Sequence, residues 1–293
     1  MYPSLFDYAG ATSWPQAVQL LQEGGEEAKV LAGGQSLVPM MALRLATPAL
    51  LIDVNGAGDG EPRRESGRLV VPALTRHATL QRSVVVRDAC PILAEAASWI
   101  GNIRVRHRGT IGGSVAHADP AGELPCSLVA LEGAVRVLGP SGERIIAASN
   151  FFQTYFTTAL EPGEVVTAVE VPVIASGRGW AFLELIRRVG DFALVEAAAL
   201  IDLDDAGQCA RVRLTVGAVG ERPVDLSDEA GAVLQNGSID EASAAEVGRR
   251  ASAAVDPPDA VHGSGAYRRE MVAVYVRRAL LAAAARAGRG GAA

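Results

Sequence analysis

Lys29-Val30-Leu31-Ala32-Gly33-Gly34-Gln35-Ser36 and Arg108-Gly109-Thr110-Ile111-Gly112-Gly113-Ser114 are the two stretches that decide how this chain is read. In each, an apolar residue leads into paired glycines flanked by polar side chains. Glycine has no Cβ, so the backbone can approach a ligand closely. Consecutive N–H groups in such a turn form a concavity that suits an anion. Gln35, Ser36, Thr110 and Ser114 add side-chain donors. Alone, each stretch reads equally well as a Gly-Gly turn between two elements. Together they point to a diphosphate ligand clamped between two glycine loops, one phosphate to each.

Outward from the first loop, Ser13-Trp14-Pro15-Gln16 reads as a capping box opening a helix. Ala17, Val18, Leu20 and Leu21 give that helix a buried face, and Gly24-Gly25 stops it. Lys29–Ala32 and Leu50–Val54 read as strands, the second ending at an Asn55-Gly56 turn. Residues 56–68 read as a surface loop, Leu69–Pro72 as a strand and Pro91–Ile100 as a helix closed by Gly101. After the second loop, Asp119-Pro120 reads as the N-cap and first position of another helix. Strands are expected at 134–138 and 165–171. Ser176-Gly177-Arg178-Gly179 reads as a linker. Apolar β runs at 194–203 and 212–219 and a closing helix over 267–286 complete the pattern. Helices and strands mix without strict βαβ alternation, so the expected class is α+β.

Composition narrows the function. The 293 residues suffice for about two domains. The 33 acidic against 27 basic side chains, net charge −6, argue against nucleic acid as a partner. Cys90, Cys126 and Cys209 form no C-x-x-C pair, so no zinc or iron–sulfur site is expected on this chain, and reduced thiols in the cytoplasm are. The N-terminus carries no signal-peptide pattern, and Arg277-Arg278 interrupt the longest apolar stretch, so no membrane span is expected. There is no G-x-x-x-x-G-K-[ST], no G-x-S-x-G, and no G-x-G-x-x-G after a strand. The basic run Arg104, Arg106, His107, Arg108 is either a solvated face or a support for an anionic ligand.

The two loops also carry a resemblance. Ala32 to Met41 with Arg44-Leu45, Pro48 and Leu51-Ile52-Asp53 resembles the first FAD loop of the molybdenum hydroxylase flavoprotein subunits. Arg106 to Pro120 resembles their second FAD loop, and the likeness continues through Arg187 to Ala193 and Ala266 to Arg269. Within that family it resembles the medium, FAD-binding subunits of aerobic carbon monoxide dehydrogenases. The resemblance implies an FAD-binding domain of the vanillyl-alcohol oxidase type over 1–175, with subdomains meeting near residue 55. It implies a C-terminal domain over 180–287 with an antiparallel sheet against helices, and a disordered tail at 288–293.

The implied FAD contacts are Ala32, Gly33, Gly34, Gln35, Ser36, Thr110, Ile111, Gly112, Gly113, Ser114, Val115, His117, Glu123, Asp191 and Phe192. Glu123 stands where the family usually has an aspartate on the flavin side, Ser114 replaces a frequent asparagine or aspartate, and Gln35 a frequent histidine or threonine. Phe192 is implied to cover the isoalloxazine ring, with plain core packing as the other reading. No protein acid, base or nucleophile and no metal ligand is expected on this chain. The implied partners are a large molybdenum-cofactor subunit and a small [2Fe-2S] subunit, in a dimer of heterotrimers. Electrons would pass from the partner's clusters through FAD to an external acceptor. The complex is expected in the cytoplasm, with contact to the inner face of the membrane through partners. A free-standing flavin oxidase and an FAD-less assembly subunit are the alternatives.

Overall fold

The computed structural model describes residues 2–287; the expected disordered tail at 288–293 lies outside the described residues. The first unit holds β1 (Asp7–Gly10), α1 (Trp14–Gly24), β2 (Ala28–Leu31), α2 (Leu37–Ala42) and β3 (Leu50–Asp53). Its sheet is parallel, in the order β1-β3-β2. Ser13 caps α1 by accepting from the Gln16 N–H at 3.3 Å. Gln16 reaches back one residue further than a capping box requires, accepting from the Thr12 N–H at 2.8 Å. Gly25, at φ +56, ends the helix.

The second unit begins with β4 (Arg63–Glu65) and β5 (Arg68–Pro72), so the expected surface loop contains a hairpin that turns at Gly67, φ +76. It continues through α3 (His77–Arg82), α4 (Val84–Ala89), α5 (Pro91–Trp99), α6 (Ile103–Arg108), α7 (Ile111–His117) and α8 (Glu123–Ala130). β6 (Ala134–Gly139), β7 (Gly142–Ala147), α9 (Ala148–Phe151), β8 (Phe152–Thr154), β9 (Thr157–Thr158) and β10 (Val165–Pro172) complete it. Its main sheet is antiparallel, β4-β5-β10-β6-β7.

The third unit is an antiparallel sheet of β11 (Gly179–Leu185), β12 (Val195–Leu203), β13 (Cys209–Gly217) and β14 (Val224–Asp225), backed by α10 (Ser227–Leu234), α11 (Glu241–Ala253) and α12 (Gly265–Ala287). β12 is buried on both faces, which is why it reads as a nearly unbroken apolar run. Alternation sends Ala181, Ala197, Ala199 and Ile201 into the core under α11 and α12. Phe182, Ala198 and Leu200 enter the core of the second unit, beside Ile111, Val115 and Leu128. The sheet of the third unit therefore closes the core of the second with one face and its own core with the other, whereas the first unit has a core around Ala17, Ile52 and Val54.

Candidate functional site

The two sequence loops come together, but they are built differently. Residues 32–36 are an open turn between β2 and α2. Gly34 sits at φ +71, a left-handed conformation that glycine takes without Cβ strain. Among the described residues, the N–H groups of Gly33, Gly34, Gln35 and Ser36 meet no protein acceptor. Four consecutive unspent donors are a run that an anion satisfies. Gln35 folds over the turn, its Nε2 donating to the Gly33 carbonyl at 3.2 Å. Ser36 stands at the N-cap of α2 with no side-chain cap bond, so its hydroxyl is unspent.

The second stretch is not a loop but a capped helix start. Thr110 is the N-cap of α7, its hydroxyl accepting from the Gly113 N–H at 3.1 Å. The Ile111 N–H donates to Thr75, the Gly112 N–H to Ala73 and the Ser114 N–H to Thr110. These donors are spent, so the resemblance between the two stretches in sequence does not carry over to their free hydrogen-bonding groups. The side chains of Ile111 and Val115 are in the core. Gly112 is glycine for packing: a Cβ there would stand 2.5 Å from that of Ala73. What α7 offers is the hydroxyls of Thr110 and Ser114.

Three residues that the sequence does not mark as part of a site support the two stretches: Arg76 and Asn55 link them, and His77 lies under the second. Arg76 donates to the Arg108 carbonyl at 2.5 Å and to Asn55 Oδ1 at 2.6 Å. Asn55 Nδ2 donates to the Ala32 carbonyl at 2.9 Å, which locks the first turn to the same guanidinium. His77 lies under Gly109, with Nε2 3.2 Å from Ser114 Oγ. Burial pushes the His77 pKa down to about 4, so the ring is neutral. Of these, the sequence marks Asn55 only as a turn residue, and Arg76-His77 as nothing special.

Other expected positions are re-placed. Asp119-Pro120 does not open a helix: α8 starts at Glu123 with Gly122 as N-cap. Ala118, at φ +51, ends α7, and Asp119 Oδ1 accepts from the Ala121 N–H in a local turn. The Pro120 carbonyl accepts from the Ala218 N–H of the third unit, and this tertiary bond holds the turn away from a helix. Glu123 is thus the first residue of α8, and burial raises its pKa to about 7. His117 packs against Phe156, ring centroids 5.1 Å apart, and desolvation lowers its pKa.

Asp191 and Phe192 lie in the turn between β11 and β12. The space a Cβ on Gly190 would take is 3.6 Å from the Gly101 backbone, which brings this turn to the start of α6. Phe192 is 72% exposed, so core packing does not explain it. In the basic run, Arg106 donates to the Ile100 and Gly101 carbonyls and closes the end of α5.

The turn and the capped helix meet between the first two units, and the free N–H groups of residues 33–36 there suit an anion. The family model described as the FAD binding domain in molybdopterin dehydrogenase matches residues 4–174, and that of the CO dehydrogenase flavoprotein C-terminal domain matches 180–283. The chain belongs to this family, and is an FAD-binding medium subunit of the molybdenum hydroxylase type. It is 41% identical to the 6-hydroxypseudooxynicotine dehydrogenase complex subunit alpha of Paenarthrobacter nicotinovorans, over 98% of this chain and 97% of that one. It is 37% identical to the carbon monoxide dehydrogenase medium chain of Afipia carboxidovorans, over 98% and 99%. The solved carbon monoxide dehydrogenase of Hydrogenophaga pseudoflava superposes with a TM-score of 0.94 at 36% identity, covering 98% of this chain and 99% of that one. Among the described residues, no helix is long and apolar enough to cross a membrane.

Proposed function

We infer that this chain is the electron-transfer subunit of a molybdenum hydroxylase complex, working between a large molybdenum-cofactor subunit and a small [2Fe-2S] subunit. FAD supplies the redox chemistry, accepting electrons from the partner's clusters and passing them to an external acceptor. The chain supplies binding and orientation. The unspent N–H groups of residues 33–36 take phosphate oxygens, together with the Ser36 hydroxyl and the Gln35 amide. Thr110 and Ser114 present hydroxyls from the start of α7, backed by Gly112 and Gly113, while Ile111 and Val115 anchor the helix from the core side. Ala32 is held by Asn55 and completes the turn. His117, Glu123, Asp191 and Phe192 border the remainder of the cofactor, with Phe192 as a cover for one ring face. No residue of this chain needs to act as acid, base or nucleophile on the oxidised substrate.

The observation that carries this reading is the run of four unspent donors pressed against the start of α7. In the same reading the working assembly is a dimer of heterotrimers in the cytoplasm, with an FAD-binding domain over 1–175 and a C-terminal domain over 180–287. Purifying the chain and recording its visible spectrum before and after FAD addition tests it. An oxidised flavin spectrum that dithionite bleaches is the expected result. A coexpressed complex that holds flavin but neither molybdenum nor iron would overturn it.

A further inference from the structure

Behind the 119–122 turn, three glutamates meet on the sheet face that the third unit turns toward the second. Glu184 of β11 and Glu196 of β12 are direct cross-strand partners, so their side chains leave the same face. Glu123 reaches this patch from the first position of α8, which packs on β12 and β13. Gly217 is the register partner of Glu196 on β13, and a Cβ there would collide with the Glu196 carboxyl. The glycine is what leaves room for that group.

Among the described residues the patch has no salt-bridged counter-ion; the Arg106 charge acts on Glu123, and Glu184 and Glu196 face like charges only. Glu184 and Glu196 are 5% and 0% exposed, and none of the three glutamates forms a salt bridge among the described residues. Among the described residues, both Glu196 oxygens, Glu184 Oε2 and the Thr215 hydroxyl on the same face have no hydrogen-bond partner. The titratable neighbours bring no cation to Glu184 or Glu196. Cys126 of α8 donates to the Thr215 carbonyl at 3.7 Å, and burial beside Glu196 raises its pKa. Asp119 adds like charge, Arg106 is committed to the Ile100 and Gly101 carbonyls, and Arg268 of α12 to those of Leu194, Pro258 and Ala218. A buried carboxylate with neither partner nor counter-ion neutralises by binding a proton. Among the described residues no three ligand side chains converge in a geometry that holds a metal ion, so the proton is the ligand this patch fits.

We propose that Glu123, Glu184 and Glu196 form an internal proton store: at neutral pH the cluster keeps at least one carboxyl protonated, and it gains a further proton when the flavin site beside the 119–123 turn becomes more negative. Two electrons arriving with a single proton leave a flavin one unit more negative. A carboxylate that takes one proton from solvent cancels that unit, and returns it when the electrons leave. Burial and mutual repulsion set the direction: Glu123 is pushed up to about 7, Glu184 to about 8, and Glu196 well above the usual carboxylate range. The coupling half of the proposal rests on the flavin reading given above; the storage half does not.

Infrared spectroscopy of the full chain loaded with FAD and carrying 13C-labelled glutamate tests both halves. The carbonyl stretch of protonated glutamate is followed against pH in the oxidised protein, then across dithionite reduction. Expected are a band that persists at pH 7, where exposed glutamates are ionised, and its growth on reduction. Glu196→Gln and, independently, Glu184→Gln remove part of it. No protonated-glutamate band at pH 7 in the unsubstituted chain overturns the store, whatever the variants do. A band unchanged while the flavin bleaches fully overturns the coupling. A chain that takes up no FAD, seen in its visible spectrum, fails the flavin reading and the coupling with it, while the pH titration still judges the store.

Discussion

Gly33 lies directly on Gly109: a Cβ at residue 33 would stand 2.7 Å from the Gly109 Cα and collide with the Arg108 carbonyl. The first glycine of the first loop is therefore required by the approach of two protein segments. This contact brings the unspent donors of residues 33–36 next to the start of α7. Gly33→Ala is expected to cost about 1–3 kcal/mol by overpacking and to separate the two halves of the site. Thermal midpoints with and without FAD check it; the variant should lose most of the stabilisation that FAD adds.

Arg76 links the two stretches, donating to the Arg108 carbonyl of the second and to Asn55 Oδ1, whose amide in turn holds Ala32 of the first. Arg76→Ala removes two charge-assisted hydrogen bonds and leaves the Asn55–Ala32 contact unsupported. Losing about 1.5–3 kcal/mol corresponds to roughly tenfold to hundredfold weaker FAD binding. Flavin fluorescence titration measures this directly, and affinity equal to that of the unsubstituted chain would show that Arg76 is dispensable to the site.

Phe192 is exposed and contributes nothing to the core. Phe192→Ala should leave folding stability within about 0.5 kcal/mol. It should nevertheless raise the fluorescence of bound FAD, because a stacked aromatic quenches the flavin. Unchanged emission would remove Phe192 from the cofactor's surroundings.

His77 and Glu184 give opposite limbs of the pH profile. Burial depresses the His77 pKa from 6.5 to about 4, so the unfolded chain binds its proton first. That contribution is complete above pH 6.5 and is lost as pH falls through about 4. Burial raises Glu184 from 4.5 to about 8, so the folded chain holds the proton longer. Its contribution is complete below pH 4.5 and is lost as pH rises through about 8. Denaturant melts across this range should show a maximum between the two limbs, with His77→Gln flattening the acid side and Glu184→Gln the alkaline side.

The elements were legible where local chemistry sets them. Ser13 and Gly25 bound α1, alternation and apolar runs mark β6, β10, β12 and β13, and Pro91 opens α5. The reading failed where a distant partner decides. Thr110-Ile111-Gly112-Gly113-Ser114 looks like a second open loop because paired glycines disfavour a helix. The carbonyls of Ala73 and Thr75 bind its first N–H groups and the Thr110 hydroxyl caps it, so it folds as one. Asp119-Pro120 has every local mark of a helix start, yet the Ala218 N–H takes the Pro120 carbonyl and the helix begins at Glu123.

The sequence by itself determined the α+β class, the two glycine stretches and their order, and the family to which they belong, because short-range capping, periodicity and motif spacing are properties of neighbours along the chain. Only the tertiary structure decided which donors remain free, that Asn55 and Arg76 tie the two stretches together over His77, and that Glu123 of α8 approaches the buried strand pair Glu184–Glu196. Those outcomes depend on which backbone groups are already satisfied and which charges are taken out of water. Both follow from strand register and helix packing rather than from any local pattern.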